Sequence, residues 1–418
     1  MNILVCGANG FVGRALCEAL SQDGHRVLKG VRTPTQPDEV AVDYLADTDP
    51  AAWTDRLRGI HAVVNAVGIL IEDSGATFDK IHRATPIALF DAACSAGVRD
   101  IVQLSALGAE HGDTPYFQSK RAADDHLRTL PLAHHILRPA LVYGAQGASA
   151  RFFRALATLP VHPLPAGGLQ PLRPILVDEL AEIVVRLLRG DAGLPSVLNL
   201  VGGTEVEFRQ MLAVYRASMG FAPARQMPVP AWLVAAGASM LNRLPGSLLT
   251  RDTWRMLCAG NTAAAATTTQ VLGRAPAGID SFIEPADALA MRHQALAAWR
   301  PGLLRGALAL IWLWTAVCSA WLYPVAGSLA LLEPVGLRGA AALAALYLAA
   351  GLDFALGIAT LWRPGRRLWA AQLALVLGYT AVIAVTSPEF LLHPFGPVLK
   401  NVAVIALLFI LLTEEPKP

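Results

Sequence analysis

Short apolar runs recur along the first third of the chain, separated by stretches whose apolar positions fall at helical spacing. Ile3–Cys6, Arg26–Val31, Ala62–Val67, Ile101–Ser105 and Ile136–Val142 are short and largely apolar, the pattern of parallel strands covered on both faces. Between them, Phe11, Val12, Ala15, Leu16, Ala19 and Leu20 keep i, i+3, i+4 spacing, and so do Ile81, Ala84, Ala88, Leu89 and Ala92. Repeated strand and amphipathic helix predict an α/β fold, a Rossmann-type doubly wound parallel sheet, over residues 1–143.

Residues 144–300 are less regular and are expected to form a smaller substrate-binding part. Pro160–Pro174 holds five prolines and Gly167-Gly168 and reads as a loop. Val177–Arg189 reads as a helix, with Asp178 and Glu179 at its start and Arg186 and Arg189 at its end, as the helix dipole favours. Ser196–Val201 reads as a short strand and the low-complexity patch Ala263–Thr269 as a loop. Residues 228–249 are apolar but broken by proline and arginine. They fit either a helix of the substrate-binding part or an interfacial contact with a membrane.

After residue 300 the pattern changes again. Four transmembrane helices are expected, over about 306–328, 339–362, 368–388 and 396–413, since a span needs ~20 apolar residues. The last is the shortest apolar run. The charge distribution agrees: residues 301–412 hold nine Asp, Glu, Lys or Arg, against 54 in residues 1–300. Hydrophobic residues are 54% of the 418, charged residues 16%, and the mean hydropathy is +0.45. These values argue against a wholly soluble enzyme and against a disordered chain. A formal net charge of +2 gives no polyanion signature, so no nucleic-acid partner is expected.

Arginines set the expected topology. Arg300 and Arg305 precede the first span, and Arg363, Arg366 and Arg367 lie between the second and third. By the positive-inside rule these flanks face the cytoplasm. The start of the chain lacks a signal-peptide pattern, so the N-terminal domain and, after an even number of spans, the C-terminus are expected on the cytoplasmic side. Arg outnumbers Lys 29 to 5, a coding bias that points to a GC-rich bacterial source; with the apolar helices, the bacterial inner membrane is the expected location. Five cysteines without a C-x-x-C pair fit reduced thiols better than a disulfide framework or a zinc site.

The chemistry begins at Gly7-Ala8-Asn9-Gly10-Phe11-Val12-Gly13, directly after the first strand and opening the first helix. Glycines there permit a tight turn and close approach to a pyrophosphate, and the helix N-terminus offers free N–H groups to the anion. Gly7, Asn9, Gly10, Phe11, Val12 and Gly13 are therefore candidate dinucleotide contacts. At the end of the second strand, where an acidic residue would select NAD(H), stands Arg32, placed to meet a 2′-phosphate. NADP(H) is favoured over NAD(H) on that ground. Asp43, ending the third strand, is a candidate for the adenine amine, and Ala66, Val67 and Gly68 should pass close to the cofactor.

Ser105 ends the fifth strand, and Tyr116 and Lys120 follow at i and i+4 on one helical face. A nearby ammonium favours a tyrosinate and makes Tyr116 a usable acid or base. A surface Tyr–Lys pair is the plainer reading of the same spacing. Inside the membrane region, Asp353 should face the bundle interior, as a proton or quinone site or as an interhelical hydrogen bond. His134-His135 reads as structural.

Residues 1–300 resemble the short-chain dehydrogenase/reductase superfamily in its extended or atypical branch. The carriers are the glycine motif, Ser105-Ala106-Leu107-Gly108-Ala109, Tyr116-x-x-x-Lys120 and Leu137-Arg138-Pro139-Ala140-Leu141-Val142-Tyr143-Gly144. The Ser-Ala-Leu-Gly-Ala run is similar to the NADPH-binding accessory subunit of respiratory complex I, and NmrA-like proteins are also similar. The resemblance implies Ser105, Tyr116 and Lys120 as catalytic residues, with Lys120 also binding the nicotinamide ribose. Residues 301–418 resemble a DoxX-like membrane domain, through helix count and the segment His393–Asn401, and such domains are associated with quinone-linked redox. The expected function is a membrane-anchored NAD(P)H-dependent oxidoreductase acting on a carbonyl-, quinone- or lipid-like small molecule, with membrane lipid or a membrane redox complex as partner. The alternative is a nucleotide-binding sensor or assembly subunit. A nucleotide-sugar epimerase is the third reading, against which Arg32 argues.

Overall fold

The computed structural model describes residues 1–73, 75–190, 194–241, 250–394 and 396–415. It divides into two compact units, one from Met1 to Ala295 and one from Leu296 onward.

The first unit is built on a seven-stranded parallel sheet. Its strands are β1 (Asn2–Cys6), β2 (Arg26–Val31), β3 (Glu39–Ala41), β4 (Ala62–Asn65), β5 (Asp100–Leu104), β6 (Ala133–Pro139) and β7 (Val197–Leu200). The spatial order is β7-β6-β5-β4-β1-β2-β3. Chain direction of travel therefore reverses between β1 and β4, leaving a crevice at their carboxyl ends. The strands pair in parallel register, for example Cys6 with Gly30 on one side and with Asn65 on the other. Ile3, Leu4, Val5, Val63, Val64, Ile101 and Val102 are buried to within a percent of completely, because helices cover both faces. Helices α1 (Phe11–Gln22), α2 (Thr85–Ser95), α3 (Pro115–Leu127), α4 (Ala148–Ala157) and α5 (Val177–Arg189) follow in chain order. One core holds α1 and α5 against one side of the sheet, and a second holds α2 and α3 against the other.

The substrate-binding part adds α6 (Phe208–Ser218), α7 (Ala231–Leu241), α8 (Arg251–Cys258) and α9 (Ala266–Leu272). Two expectations are corrected here. Pro160–Pro174 is not wholly loop: Val161–Pro165 pairs in parallel with Arg225–Val229, and Pro171–Leu172 pairs antiparallel with Val206–Glu207. Proline is admissible in such two-stranded edges because half of the backbone donors have no ladder partner. Residues 263–269 are not all loop either, since α9 begins at Ala266. Thr268 is fully buried and accepts the Val201 N–H at 3.0 Å, a tertiary contact that composition cannot show. Within 228–249, α7 packs Val234 and Ala238 against Trp254 of α8, as a helix of this part should; residues 242–249 lie outside the described ones.

In the second unit, α10 (Arg300–Val317), α11 (Gly339–Trp362) and α12 (Arg366–Thr386) belong to the three helices long and apolar enough to cross a membrane. The expected first span, 306–328, is corrected: the helix continues through Cys318–Leu322 and breaks before Pro324, with a separate helix over Val325–Leu332. The fourth, α13 (Asn401–Glu414), has 14 residues, about 21 Å at 1.5 Å per residue, and so falls short of a span by itself. Its end returns to the start of the bundle, where Glu415 accepts hydrogen bonds from Arg305 and from the Trp369 indole. Across the interior, the Trp312 indole donates to Gln372 at 3.1 Å, and Gln372 donates to Thr360 at 2.9 Å. These bonds tie three helices together where lipid would leave the polar groups unpaired. Asp353 is buried within this unit, as its charge requires, and its Oδ1 has no hydrogen-bond partner among the described residues.

Candidate functional site

The glycine motif closes the crevice at β1. Gly7 takes φ +81° and its N–H donates to the Gly30 carbonyl at 3.2 Å, while Gly10 N–H donates back to Gly7 O at 2.8 Å. Gly10 then caps α1 without any side-chain acceptor, so the first-turn N–H groups stay open to an anion. A Cβ on Gly13 would lie 2.0 Å from Gly7 O, which only glycine avoids. A Cβ on Gly7 would come within 3.2 Å of Ala66 O, so the ends of β1 and β4 are adjacent. Asn9 is exposed, its carbonyl accepting from Arg14 at 3.0 Å. The Phe11 ring fills the space beside Gly144 and Gly147, and Val12 lines the crevice.

At the end of β2, Arg32 is exposed and makes no hydrogen bond or ion pair to a described residue. No carboxylate occupies that position. Asp43 stands two residues beyond β3, half-buried in a turn, with Oδ1 accepting the Leu45 N–H at 3.0 Å. That bond already engages the side chain. Beneath the β4 turn, sequence reasoning missed a buried polar chain: Tyr44 donates to Asn65 and Asn65 to Gln103, both at 2.7 Å. It fixes the strand ends on either side of the crevice.

Helix α3 carries the acid–base candidates. Thr114 caps it, accepting from Phe117 N–H, and Pro115 opens its first turn, both strong start signals. Tyr116, Lys120 and Asp124 then follow at successive i+4 steps on one face. The Phe117 ring packs under Gly108 and Gly112, where a Cβ would lie 3.2 Å and 2.2 Å from it, so the loop after Ser105 is fastened to the start of this helix.

The structure brings Ser105, Tyr116 and Lys120 to one cleft of about 430 Å³, together with Val12, Ala66, Val67 and Gly68. Lys120 Nζ donates to Leu104 O at 2.9 Å. Ser105 donates to Asp124 Oδ2 at 2.5 Å. Asp124 was missed in the sequence, although its spacing on α3 was a usable signal. Arg138 lies 3.9 Å from the same carboxylate and pairs with Glu110. Arg173 holds the carbonyls of Gly202, Gly203 and Ala263, and Asp178 is exposed in the first turn of α5.

Burial dominates the electrostatics. It pushes the Tyr116 hydroxyl up to about 12, with the Asp124 charge adding to the effect. It pulls Lys120 down to about 8, against the pull of Asp124. It lifts Asp124 to about 6 despite the Ser105 hydrogen bond and the nearby cations. The expectation that Tyr116 would be lowered is thus reversed: desolvation of the phenolate raises it, the Asp124 charge adds to that, and Tyr116 holds its proton. His82 is buried under Tyr116, edge-on at 5.3 Å and stacked on Phe78. Burial, then Lys120, drives it down to about 2. Its Nε2 accepts the Ile69 N–H at 3.0 Å, and Nδ1 donates to Ser119 Oγ at 3.1 Å, since that hydroxyl itself donates to Tyr116 O. The ring is therefore neutral and fully engaged.

Residues 7–154 match a family described as NAD(P)H-binding, and residues 309–409 match the DoxX-like family. Among characterised relatives, the chain is 30% identical over 168 residues to a ceramide reductase of Caulobacter vibrioides, covering 39% of this chain and 53% of that one. It is 27% identical over 263 residues to NADH dehydrogenase [ubiquinone] 1 alpha subcomplex subunit 9 of Arabidopsis thaliana, covering 58% and 64%. The chain thus spans about half to two thirds of these relatives. An NADPH-dependent quinone oxidoreductase of Escherichia coli, solved with NADPH, shares the fold at TM-score 0.55 and 19% identity, covering 68% of this chain and 98% of that one. The open helix N-terminus and the glycine cradle fit a dinucleotide on geometric grounds as well. The chain joins an NAD(P)H-binding Rossmann-type domain to a DoxX-like domain of apolar helices, the fusion that its sequence resemblance implied.

Proposed function

We propose that the protein is a membrane-anchored, NADPH-dependent reductase of a carbonyl- or quinone-like compound. The observation that carries this reading is the open cleft in which Ser105, Tyr116 and Lys120 stand beside the glycine turn. Gly7, Gly10, Gly13, Val67, Gly68 and Lys120 would hold the dinucleotide, and Arg32 would meet a 2′-phosphate. When bound, the reduced nicotinamide supplies a hydride. The substrate carbon takes that hydride as its C=O π bond opens, and its oxygen takes the Tyr116 proton. A hydroxyl held up at about 12 keeps its proton at neutral pH, so Tyr116 suits the reducing direction. Lys120 stabilises the phenolate left behind until solvent returns the proton. The ceramide reductase likeness supports a lipid-like substrate, and the quinone oxidoreductase fold supports a quinone-like one. The apolar helices support attachment to a bilayer, with the bacterial inner membrane as the proposed site.

A second reading, a nucleotide-binding subunit of a membrane redox complex without turnover, is favoured by the inward engagement of Ser105 and Lys120. The two readings part on one measurement. Detergent-purified protein should consume NADPH in the presence of an acceptor. Tyr116→Phe should cut turnover by about 10²–10⁴ with nucleotide affinity unchanged. Tight NADPH binding with no consumption by any acceptor would select the second reading.

A further inference from the structure

The cleft continues well past Tyr116, and the chemistry of its walls constrains the substrate. The far side is built by Phe152 and Phe153 of α4 and by Trp254, Met256 and Leu257 of α8, with Leu141 below. Among the described residues that line it, Lys120 is the one with a formal charge, and it sits at the nicotinamide end. The polar groups of the distal wall, those of Ser149, Thr253 and Asn261, are few and uncharged. Asn261 Oδ1 accepts the Leu141 N–H, and Thr253 Oγ1 accepts from Thr250 N–H. A diphosphate or carboxylate placed there would lose its water without gaining a counter-charge, which is strongly unfavourable. Hydrocarbon would lose nothing, and each methylene transferred from water gains. The volume is that of an ordinary small-molecule pocket.

We propose that the substrate is an uncharged carbonyl compound borne on a hydrocarbon tail, with the carbonyl at Tyr116 and the tail between α4 and α8. This rests on the reductase reading and narrows it: the wall accepts a lipid ketone or a tailed quinone and rejects a nucleotide sugar. The reaction balances as two electrons and one proton nucleus delivered as hydride to carbon, one proton from Tyr116 to oxygen, and C=O reduced to CH–OH while NADPH becomes NADP⁺. For a quinone the same transfer gives a hydroxydienone, which becomes the hydroquinone when the newly added carbon-bound hydrogen leaves as a proton to water and the second oxygen takes a proton from water.

The test uses the full-length protein in detergent with NADPH. The acceptors are methyl ketones with chains from propyl to undecyl, a benzoquinone with and without a prenyl tail, and a nucleoside-diphosphate keto sugar. Free concentrations are corrected for micelle partition. The expected result is a kcat/KM that rises roughly fourfold per methylene until the cleft is filled, in the ketone arm, the quinone arm or both; the faster arm identifies the head group. Met256→Glu should flatten that rise, and Phe152→Ser, at a partly exposed position, serves if the first variant does not fold. A flat series, or preference for the keto sugar, overturns the inference and leaves the reductase reading standing. If no acceptor is turned over, the reductase reading fails, and hydrogen exchange decides the tail site. Undecyl ketone, unlike propyl ketone, should slow exchange across Ala148–Ala157 and Arg251–Cys258. No such protection overturns the proposal.

Discussion

His82 is a histidine that must stay neutral. Both ring nitrogens are used, Nε2 as an acceptor facing the Ile69 N–H, and a second proton there would point N–H at N–H beside Lys120. Its pKa falls from 6.5 to about 2 in the fold. The unfolded chain therefore takes up a proton that the native state refuses. The stabilisation is complete above pH 6.5 and is lost as pH falls toward about 2. Thermal midpoints of the full-length protein should decline on acidification below that ordinary value, and His82→Gln should show a shallower decline. An unchanged slope in the variant would show that His82 is not the acid-sensitive group. Arg32 allows a second residue-scale prediction. Arg32→Glu should weaken NADPH binding by at least about tenfold and leave NADH binding equal or tighter, because the guanidinium pairs with a 2′-phosphate and a carboxylate repels it. Equal loss for both nucleotides, read by titration, would remove Arg32 from the cofactor site. The glycine turn was legible in sequence because its role is backbone geometry. The spacing of Asp124 on α3 was a usable signal, but its pairing was not legible, because Ser105 follows β5 and only the packing of α3 against the sheet joins the two.

At the scale of elements, α5 shows how far local pattern reaches. Its bounds, Val177–Arg189, agree with the sequence expectation, and Gly190 ends it with φ +88°. What the pattern could not show is why Glu179 is tolerated inside. Its carboxylate is buried and accepts from Arg274 at 2.6 Å and from the Ala277 N–H at 2.9 Å, while Arg274 also reaches Glu182 at 2.8 Å. Arg274→Ala should destabilise the first unit by about 1–3 kcal/mol, below the range for a fully buried pair because Arg274 is half exposed. Adding Glu179→Gln should recover part of that loss, and a melting series of the two single variants and the double variant checks both. The proline-rich segment and the 263–269 patch were misread for a related reason. Their strand and helix depend on partners far along the chain, Arg225–Val229 and Val201, which override weak local preference.

At the scale of the whole molecule, the DoxX-like unit brings Arg305, Trp369 and Glu415 to one end. We propose, from the arginines at 305, 363, 366 and 367 and the positive-inside rule, that this end faces the cytoplasm. Single cysteines introduced by Pro364→Cys and Pro334→Cys in a cysteine-free chain should therefore label oppositely with an impermeant maleimide in oriented vesicles, Pro364→Cys from the cytoplasmic side. Labelling of both from one side would overturn the proposed topology. The sequence by itself determined the division into an α/β body and an apolar helical region, the order of strand and helix, the glycine turn and the candidate residues on α3. All of these follow from periodicity, composition and backbone sterics, which act over a few neighbouring residues. Only the tertiary structure decided which polar groups face each other at the β1/β4 crevice, that burial raises Tyr116, and that α4 and α8 line one apolar cleft. Those outcomes depend on desolvation and on contacts between segments more than a hundred residues apart (Leu141 and Asn261 among them), and no local pattern encodes them.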